Sequence, residues 1–277
     1  MTNKVGLIGW PVEHSVSPAM HNAAFKELGL DWRYDPLPVL PSEVKRRMDG
    51  LIEAGYCGFN VTVPHKQDVL RLPYIRETED AVTQIGAANT LTQLRDGGLR
   101  ASNTDWRGFT DDLAANRINL RGMDCIILGT GGASMAVMYA LQQGGANSMI
   151  RVSRNKGDYD AVIGYDDLET ILYLAPSQGP EKTLIINCTP IGMWPNVEAS
   201  PWPEGVPFPA GVTLYDLIYN PPITLLMRQA ETAGARAVGG LGMLVRQGAL
   251  SFEQWTGIAP PLDVMENAAR QKLGVVE

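Results

Sequence analysis

Two rhythms of apolar and polar positions alternate along the chain. Flat apolar runs at residues 5–8, 32–39 and 59–63 predict strands, and the helically spaced runs at 19–28 and 42–54 between them predict helices. That succession is a βαβαβ unit. A pair of runs at 90–94 and 99–102, separated by Asp96, Gly97 and Gly98, predicts a hairpin closing the unit, and 106–116 predicts a helix leading out of it. A second series of short runs follows at 125–128, 149–152, 184–187 and 213–215, each apolar throughout as strands covered on both faces are, which predicts a second, parallel sheet. Pro195, Pro201, Pro203, Pro207 and Pro209 exclude regular structure from the segment they punctuate and predict a surface loop. Beyond Ala237 the chain is glycine-rich and then helical, at 243–255 and 262–273, with faces able to pack on either unit.

Composition narrows this picture to small-molecule chemistry. A chain of 277 residues, 45% hydrophobic and 19% charged, suits two ordinary domains with separate cores. Its formal net charge of -7 gives no basic surface to concentrate a polyanion, so no nucleic-acid partner is expected. No apolar run is long enough to suggest a membrane span and residues 1–9 lack the features of a signal peptide, so a cytoplasmic protein is expected. Cys57, Cys125 and Cys188 have no short spacing among them and read as reduced, mostly buried thiols; with His14 and His21 separated by Pro18, no metal site is expected.

The sharpest local signal is CIILGTGGASMA, residues 125–136, a buried strand running into Gly129, Gly131 and Gly132 and then into a helical pattern. Gly129 permits the tight turn and Gly131 lets backbone approach a pyrophosphate. The helix start at Gly132 and Ala133 then offers free N–H groups and partial positive charge to that anion. The pattern departs from the usual fingerprint at its last glycine, where Ser134 stands. About twenty residues on, where a carboxylate would hold the ribose of NAD, the chain reads RVSRNKGD. Arg154 and Lys156 there suit the 2'-phosphate of NADP, or form a solvated basic turn.

Seven segments, in order and spanning nearly the whole chain, carry a resemblance to a known family. They are GWPVEHSVSPAMHN (9–22), GFNVTVPHK (58–66), GAANT (86–90), SNTDWRG (102–108), NCTPIGM (187–193), DLIYNPPITLL (216–226) and GLGMLVRQ (240–247). Together they resemble the shikimate dehydrogenase family. The resemblance implies an α/β fold of two domains, an open α/β substrate domain and a Rossmann-like doubly wound dinucleotide-binding domain, with the active site in the cleft. Residues 1–104 would form the substrate domain, 105–239 the dinucleotide domain, and the helices of 240–277 would return to the first. It further implies that Ser15 and Ser17 bind the substrate carboxylate, that Asn60, Thr62, Asn89, Asp105 and Gln247 bind ring hydroxyls, that Tyr219 closes over the substrate, and that Lys66 with Asp105 is catalytic. Cofactor contacts would come from Gly129, Thr130, Gly131, Gly132, Ala133, Thr189 and Gly240. Ser153, Arg154 and Asn155, with Lys156 beside them, correspond to an Asn-Arg-Thr segment that holds the adenosine phosphate; only the arginine is retained, and an arginine frequent four residues later is Asp158 here.

Residue chemistry runs parallel to the resemblance. Hydride delivery to a ring ketone leaves an alkoxide, and Lys66 after a strand end supplies both proton and charge, with Asp105 to orient it or to accept a substrate hydroxyl. Read as residues alone, Ser15 and Ser17 equally fit helix caps before Pro18, Tyr219 a core position beside Pro221, and Gln247 a helix surface. The implied activity is NADP-dependent interconversion of 3-dehydroshikimate and shikimate, a step of chorismate and aromatic amino-acid biosynthesis, by a monomer or homodimer. Two alternatives stand beside it: a quinate or shikimate dehydrogenase using NAD, and a catalytically silent ligand sensor of the same fold. Family members that accept quinate tend to carry threonine where this chain has Ser17.

Overall fold

The computed structural model describes residues 2–154, 162–174, 177 and 179–275. The chain divides into two compact units, Met1–Gly108 with Val245–Glu277, and Phe109–Leu244. These divisions fall inside two helices and not at the boundaries 104/105 and 239/240 expected from motif order, because a continuous helix carries the chain across each time.

In the first unit, β1 (Asn3–Gly9), β2 (Trp32–Pro38) and β3 (Tyr56–Val61) pair in parallel, connected by α1 (Ser17–Glu27) and α2 (Val44–Glu53). Then follow β4 (Ile75–Thr78), α3 (Asp80–Ile85) and the antiparallel hairpin of β5 (Thr90–Gln93) and β6 (Leu99–Ser102). The sheet order is β2-β1-β3-β5-β6-β4. The apolar pattern misses β4 and α3. β4 is an edge strand exposed along most of its length, and α3 has only six residues. β3 starts and stops earlier than its apolar run: Pro64 cannot donate to a ladder, and His65 N–H closes a turn on Thr62 O at 2.9 Å. Ile8, Phe59, Leu91 and Leu99 lie in the buried core beneath α2.

The second unit is entered through α4 (Asp105–Ala115). It contains β7 (Asp124–Leu128), α5 (Gly132–Gln143), β8 (Ser148–Val152), β9 (Val162–Ile163), α6 (Leu168–Leu174), β10 (Thr183–Asn187), β11 (Thr213–Asp216), α7 (Leu225–Thr232) and β12 (Arg236–Gly239). All its described strand pairs are parallel, in the order β12-β11-β10-β7-β8-β9. The sequence pattern does not announce β9, α6, α7 or β12, which are short. The proline-punctuated segment has no regular structure, yet it is more than a surface loop. Trp202 is buried in the core with Leu214 and Leu226, packs on Phe208 at 4.3 Å between ring centroids, and donates its indole N–H to Val206 O at 2.9 Å. The chain leaves through α8 (Leu241–Thr256), and α9 (Leu262–Lys272) packs on α1.

Among the described residues no helix is long and apolar enough to cross a membrane. Cys125 is buried, Cys57 and Cys188 are half-buried, and all three are free thiols.

Candidate active site

Strand direction decides where the polar residues of the first unit meet. β3 and β5 run antiparallel, as do β5 and β6, so the C-terminal end of β3, the start of β5 and the end of β6 lie at one edge, with Asn60 opposite Thr90 and Thr90 opposite Ser102. Lys66 follows the turn after β3, and its carbonyl accepts the Ala88 N–H at 2.8 Å, which ties it to the residues entering β5. Its ammonium donates to Asp105 Oδ2 at 2.6 Å, with the side chains 17% and 11% exposed. Asn89 Nδ2 donates to the other carboxylate oxygen at 2.8 Å. Asp105 opens α4, where the partial positive charge of a helix start favours a carboxylate. The pair is therefore shielded and oriented from two sides yet still open to a ligand.

The Asn89 amide is itself held. Its oxygen accepts the Thr104 N–H at 2.7 Å, and its nitrogen faces Thr104 Oγ1 at 2.9 Å and Gln247 Oε1 at 3.2 Å. Gln247 can reach it because Gly108 of α4 leaves room for α8: a Cβ on Gly108 would lie 2.7 Å from Gln247 Cβ. Asn60 Nδ2 faces Asn89 O, Thr90 Oγ1 and Ser251 Oγ at 3.2, 3.2 and 2.9 Å, and its oxygen accepts the Tyr34 hydroxyl at 2.9 Å. Asn60 thus spends its polar atoms on ordering the site. Thr62 is half-buried, and its methyl fills the space that a side chain on Gly9 would need, 2.3 Å from the ideal Cβ. Ser15 and Ser17 stand at the start of α1; Ser15 Oγ accepts the Ser17 N–H at 3.2 Å, and the N-cap position proper is Val16, which makes no side-chain cap.

In the second unit the strand order reverses between β8 and β10 on either side of β7, which opens a crevice at the C-terminal ends of β7 and β10. Gly129 lies there with φ +101°, a conformation that L side chains rarely adopt, and its ideal Cβ would be 3.0 Å from Thr189 Cγ2 across the crevice. Among the described residues a Cβ on Gly131 or Gly132 would meet nothing within 4 Å, so the start of α5 has room for an anion. Ser134, the departure from the fingerprint, is accommodated because its hydroxyl donates back to Gly131 O at 2.7 Å. Thr130 and Ser153 hydroxyls lie 3.4 Å apart at the ends of β7 and β8, and Arg154 beyond them is exposed. Ala133 is half-buried in the first turn of α5. Asn155, Lys156 and Asp158 lie outside the described residues. Gly240 has a packing reason of its own, since its Cβ would fall 2.1 Å from Leu217 O. Tyr219, half-buried in the turn after β11, has its hydroxyl pKa raised by burial.

The first unit thus brings Lys66, Asn89, Asp105, Gln247 and Asn60 into one network and places Ser15 and Ser17 at the start of α1 and Thr62 just after β3. The second gathers Gly129, Thr130, Gly131, Gly132, Ser153 and Thr189 at its switch point. Sequence reasoning missed Thr90, Thr104 and Ser251, whose hydroxyls order the first network, with Thr90 and Ser251 2.8 Å apart. Only Ser251, one helical turn after Gln247, had a readable signal. Among the described residues no group of three or more His, Cys, Asp or Glu could hold a metal ion.

Residues 7–91 match the model of the shikimate dehydrogenase substrate binding domain, and residues 240–270 that of the shikimate 5'-dehydrogenase C-terminal domain. A shikimate dehydrogenase (NADP(+)) of Methanopyrus kandleri is 40% identical over 98% of this chain and 96% of its own. The crystal structure of shikimate 5-dehydrogenase from Thermus thermophilus in complex with NADP(H) and shikimate superposes with a TM-score of 0.85 at 32% identity, covering 98% of this chain and 99% of that one. The enzyme from Listeria monocytogenes, in complex with shikimate and NAD, gives 0.84 at 28% identity and covers 96% of both chains.

Proposed function

Given that this chain belongs to the shikimate dehydrogenase family, we propose that it interconverts 3-dehydroshikimate and shikimate with NADP(H), using Lys66 and Asp105 for the proton. The observation that carries the assignment of residues is the Lys66–Asp105 pair, 2.6 Å apart and held by Asn89 where three strand ends meet. The open helix start at Gly131 and Gly132 and the tight turn at Gly129 fit a dinucleotide pyrophosphate, with Thr130, Ala133, Thr189, Ser153 and Arg154 about it and Arg154 facing the 2'-phosphate. NADP(H), when bound, supplies or accepts the hydride.

In the direction of reduction, the Lys66 ammonium donates a proton to the ketone oxygen as negative charge develops there, and then recovers one from water. In the reverse direction the neutral amine takes the hydroxyl proton. Asp105 keeps the lysine aimed and accepts from a ring hydroxyl. Asn89 and Gln247 bind ring hydroxyls beside it, while Asn60 chiefly holds Asn89 and Thr90 in register. Ser15 and Ser17 take the carboxylate, and Thr62 a further hydroxyl. We propose a monomer or homodimer in the cytoplasm. Steady-state hydride transfer, measured with shikimate against quinate and NADP against NAD, tests the reading; failure to oxidise shikimate with either cofactor overturns it.

A further inference from the structure

Behind the crevice of the second unit lies a buried carboxylate for which the reaction has no direct use. Asp216 ends β11, is fully buried, and forms no ion pair with any described residue. Its Oδ1 accepts from Asn187 Nδ2 at 2.9 Å and the Ile218 N–H at 3.1 Å, and its Oδ2 accepts from the Thr224 hydroxyl at 2.7 Å. Burial raises its pKa, and these donors oppose that rise. An unpaired carboxylate in such a place is costly, so what it determines is informative.

It determines a direction. Because a carboxylate only accepts, Asn187 must turn its NH2 toward Asp216 and its oxygen the other way. That oxygen accepts both the Thr189 N–H at 2.9 Å and the Thr189 hydroxyl at 2.7 Å. An amide oxygen has no proton to give, so the Thr189 hydroxyl is the donor in this bond. The Ile191 N–H donates to the same hydroxyl at 3.3 Å, which, among the described residues, leaves Thr189 a single unused lone pair. Thr189 is half-buried, with its methyl against Gly129 of the dinucleotide turn.

We propose that Asp216 is a positioning residue which, through Asn187, fixes the Thr189 hydroxyl as a hydrogen-bond acceptor for an O–H or N–H donor of the bound dinucleotide. The inference rests on the dinucleotide reading of this unit. The second arm of Asp216 is separate from the cofactor: Thr224 caps α7 by accepting the Met227 N–H at 3.2 Å.

The test is a double-mutant cycle on NADP affinity, read by direct titration of the unmodified substrate-free chain and its variants, with thermal melting alongside. Asp216→Ala and Thr189→Val are each expected to weaken NADP about 10-fold, the worth of one hydrogen bond, and the double variant no more than Thr189→Val alone. Asp216→Asn is expected to recover most of the affinity, because its amide oxygen can serve Asn187 while its NH2 turns to Thr224, whose hydroxyl can accept. Thr224→Val is expected to lower the melting temperature without changing NADP affinity, which separates the loss in Asp216→Ala from a general loss of stability; a matching loss of NADP affinity in Thr224→Val overturns the proposal. Should Asp216→Ala not fold, Asn187→Ala takes its place in the cycle. Additive losses, or wild-type affinity in Asp216→Ala, overturn the proposal. A wild-type chain that binds no NADP overturns the dinucleotide reading instead.

Discussion

In the proposed reaction Lys66 and Asp105 divide the proton chemistry between a donor and the group that aims it, and their substitution is expected to separate turnover from binding. Lys66→Ala is expected to lower kcat by about 10²- to 10⁴-fold, the usual worth of general acid catalysis, while the shikimate dissociation constant stays within a few-fold, since the charge matters most where the alkoxide forms. Asp105→Asn should behave alike, with a larger effect on affinity because the amide keeps one acceptor oxygen for two donors, Lys66 and Asn89. Single-turnover rates with equilibrium binding check both, and normal turnover by the Lys66 variant would remove it as the donor. Arg154→Ala is expected to weaken NADP far more than NAD, as only the former has a phosphate to pair with a guanidinium; equal losses would leave the arginine no phosphate role. Ser17 stands where family members that accept quinate tend to carry threonine. Shikimate is therefore expected to be preferred by about 5- to 150-fold in kcat/KM, the range of an unpaired buried polar group, and a ratio near one would favour the quinate alternative.

At the scale of elements, glycines set how closely chain segments approach, and the two at the returning helix do different things. Gly108 admits α8 so that Gln247 reaches Asn89, whereas Gly240 admits the Leu217 carbonyl at the turn into α8. Gly240→Ala is expected to cost about 1–3 kcal/mol by overpacking, lowering the melting temperature by about 2–10 °C with or without NADP. A loss of NADP affinity at unchanged melting would instead make the glycine a cofactor residue, as the motif alone suggests. Fingerprint and hairpin were readable because their glycines and apolar runs are local. β4, α3, α7 and β12 were not, because short or exposed elements are stabilised by neighbours that a local window does not contain.

For the molecule as a whole, His21 gives stability a pH dependence unrelated to the reaction. It is fully buried, stacks on Tyr34 with ring centroids 4.3 Å apart and planes 3° from parallel, and has no hydrogen-bond partner among the described residues at either ring nitrogen. Burial lowers its pKa to about 3. The unfolded chain takes up this proton near pH 6.5 and the folded one only near pH 3. The contribution is therefore complete above about pH 6.5 and is lost progressively as pH falls toward 3, by about 4–5 kcal/mol in all. The free energy of denaturant unfolding is expected to fall accordingly between pH 7 and pH 4, and His21→Phe to flatten that fall with pH. An unchanged slope in that variant would assign the acid sensitivity to other groups.

The sequence by itself determined the two α/β halves, the dinucleotide turn and the order of the polar motifs, because period, glycine placement and motif spacing are properties of neighbouring residues. It also supplied every side chain of the Lys66 and Asp105 pair. Only tertiary structure decided that Asn60 faces Asn89, Thr90 and Ser251, that Thr104 and Ser251 belong to the network, and that Asp216 stands behind Thr189. Hydrogen bonds between residues far apart in the chain depend on strand direction and register, and a buried donor or acceptor takes its meaning from whichever partner the fold brings to it.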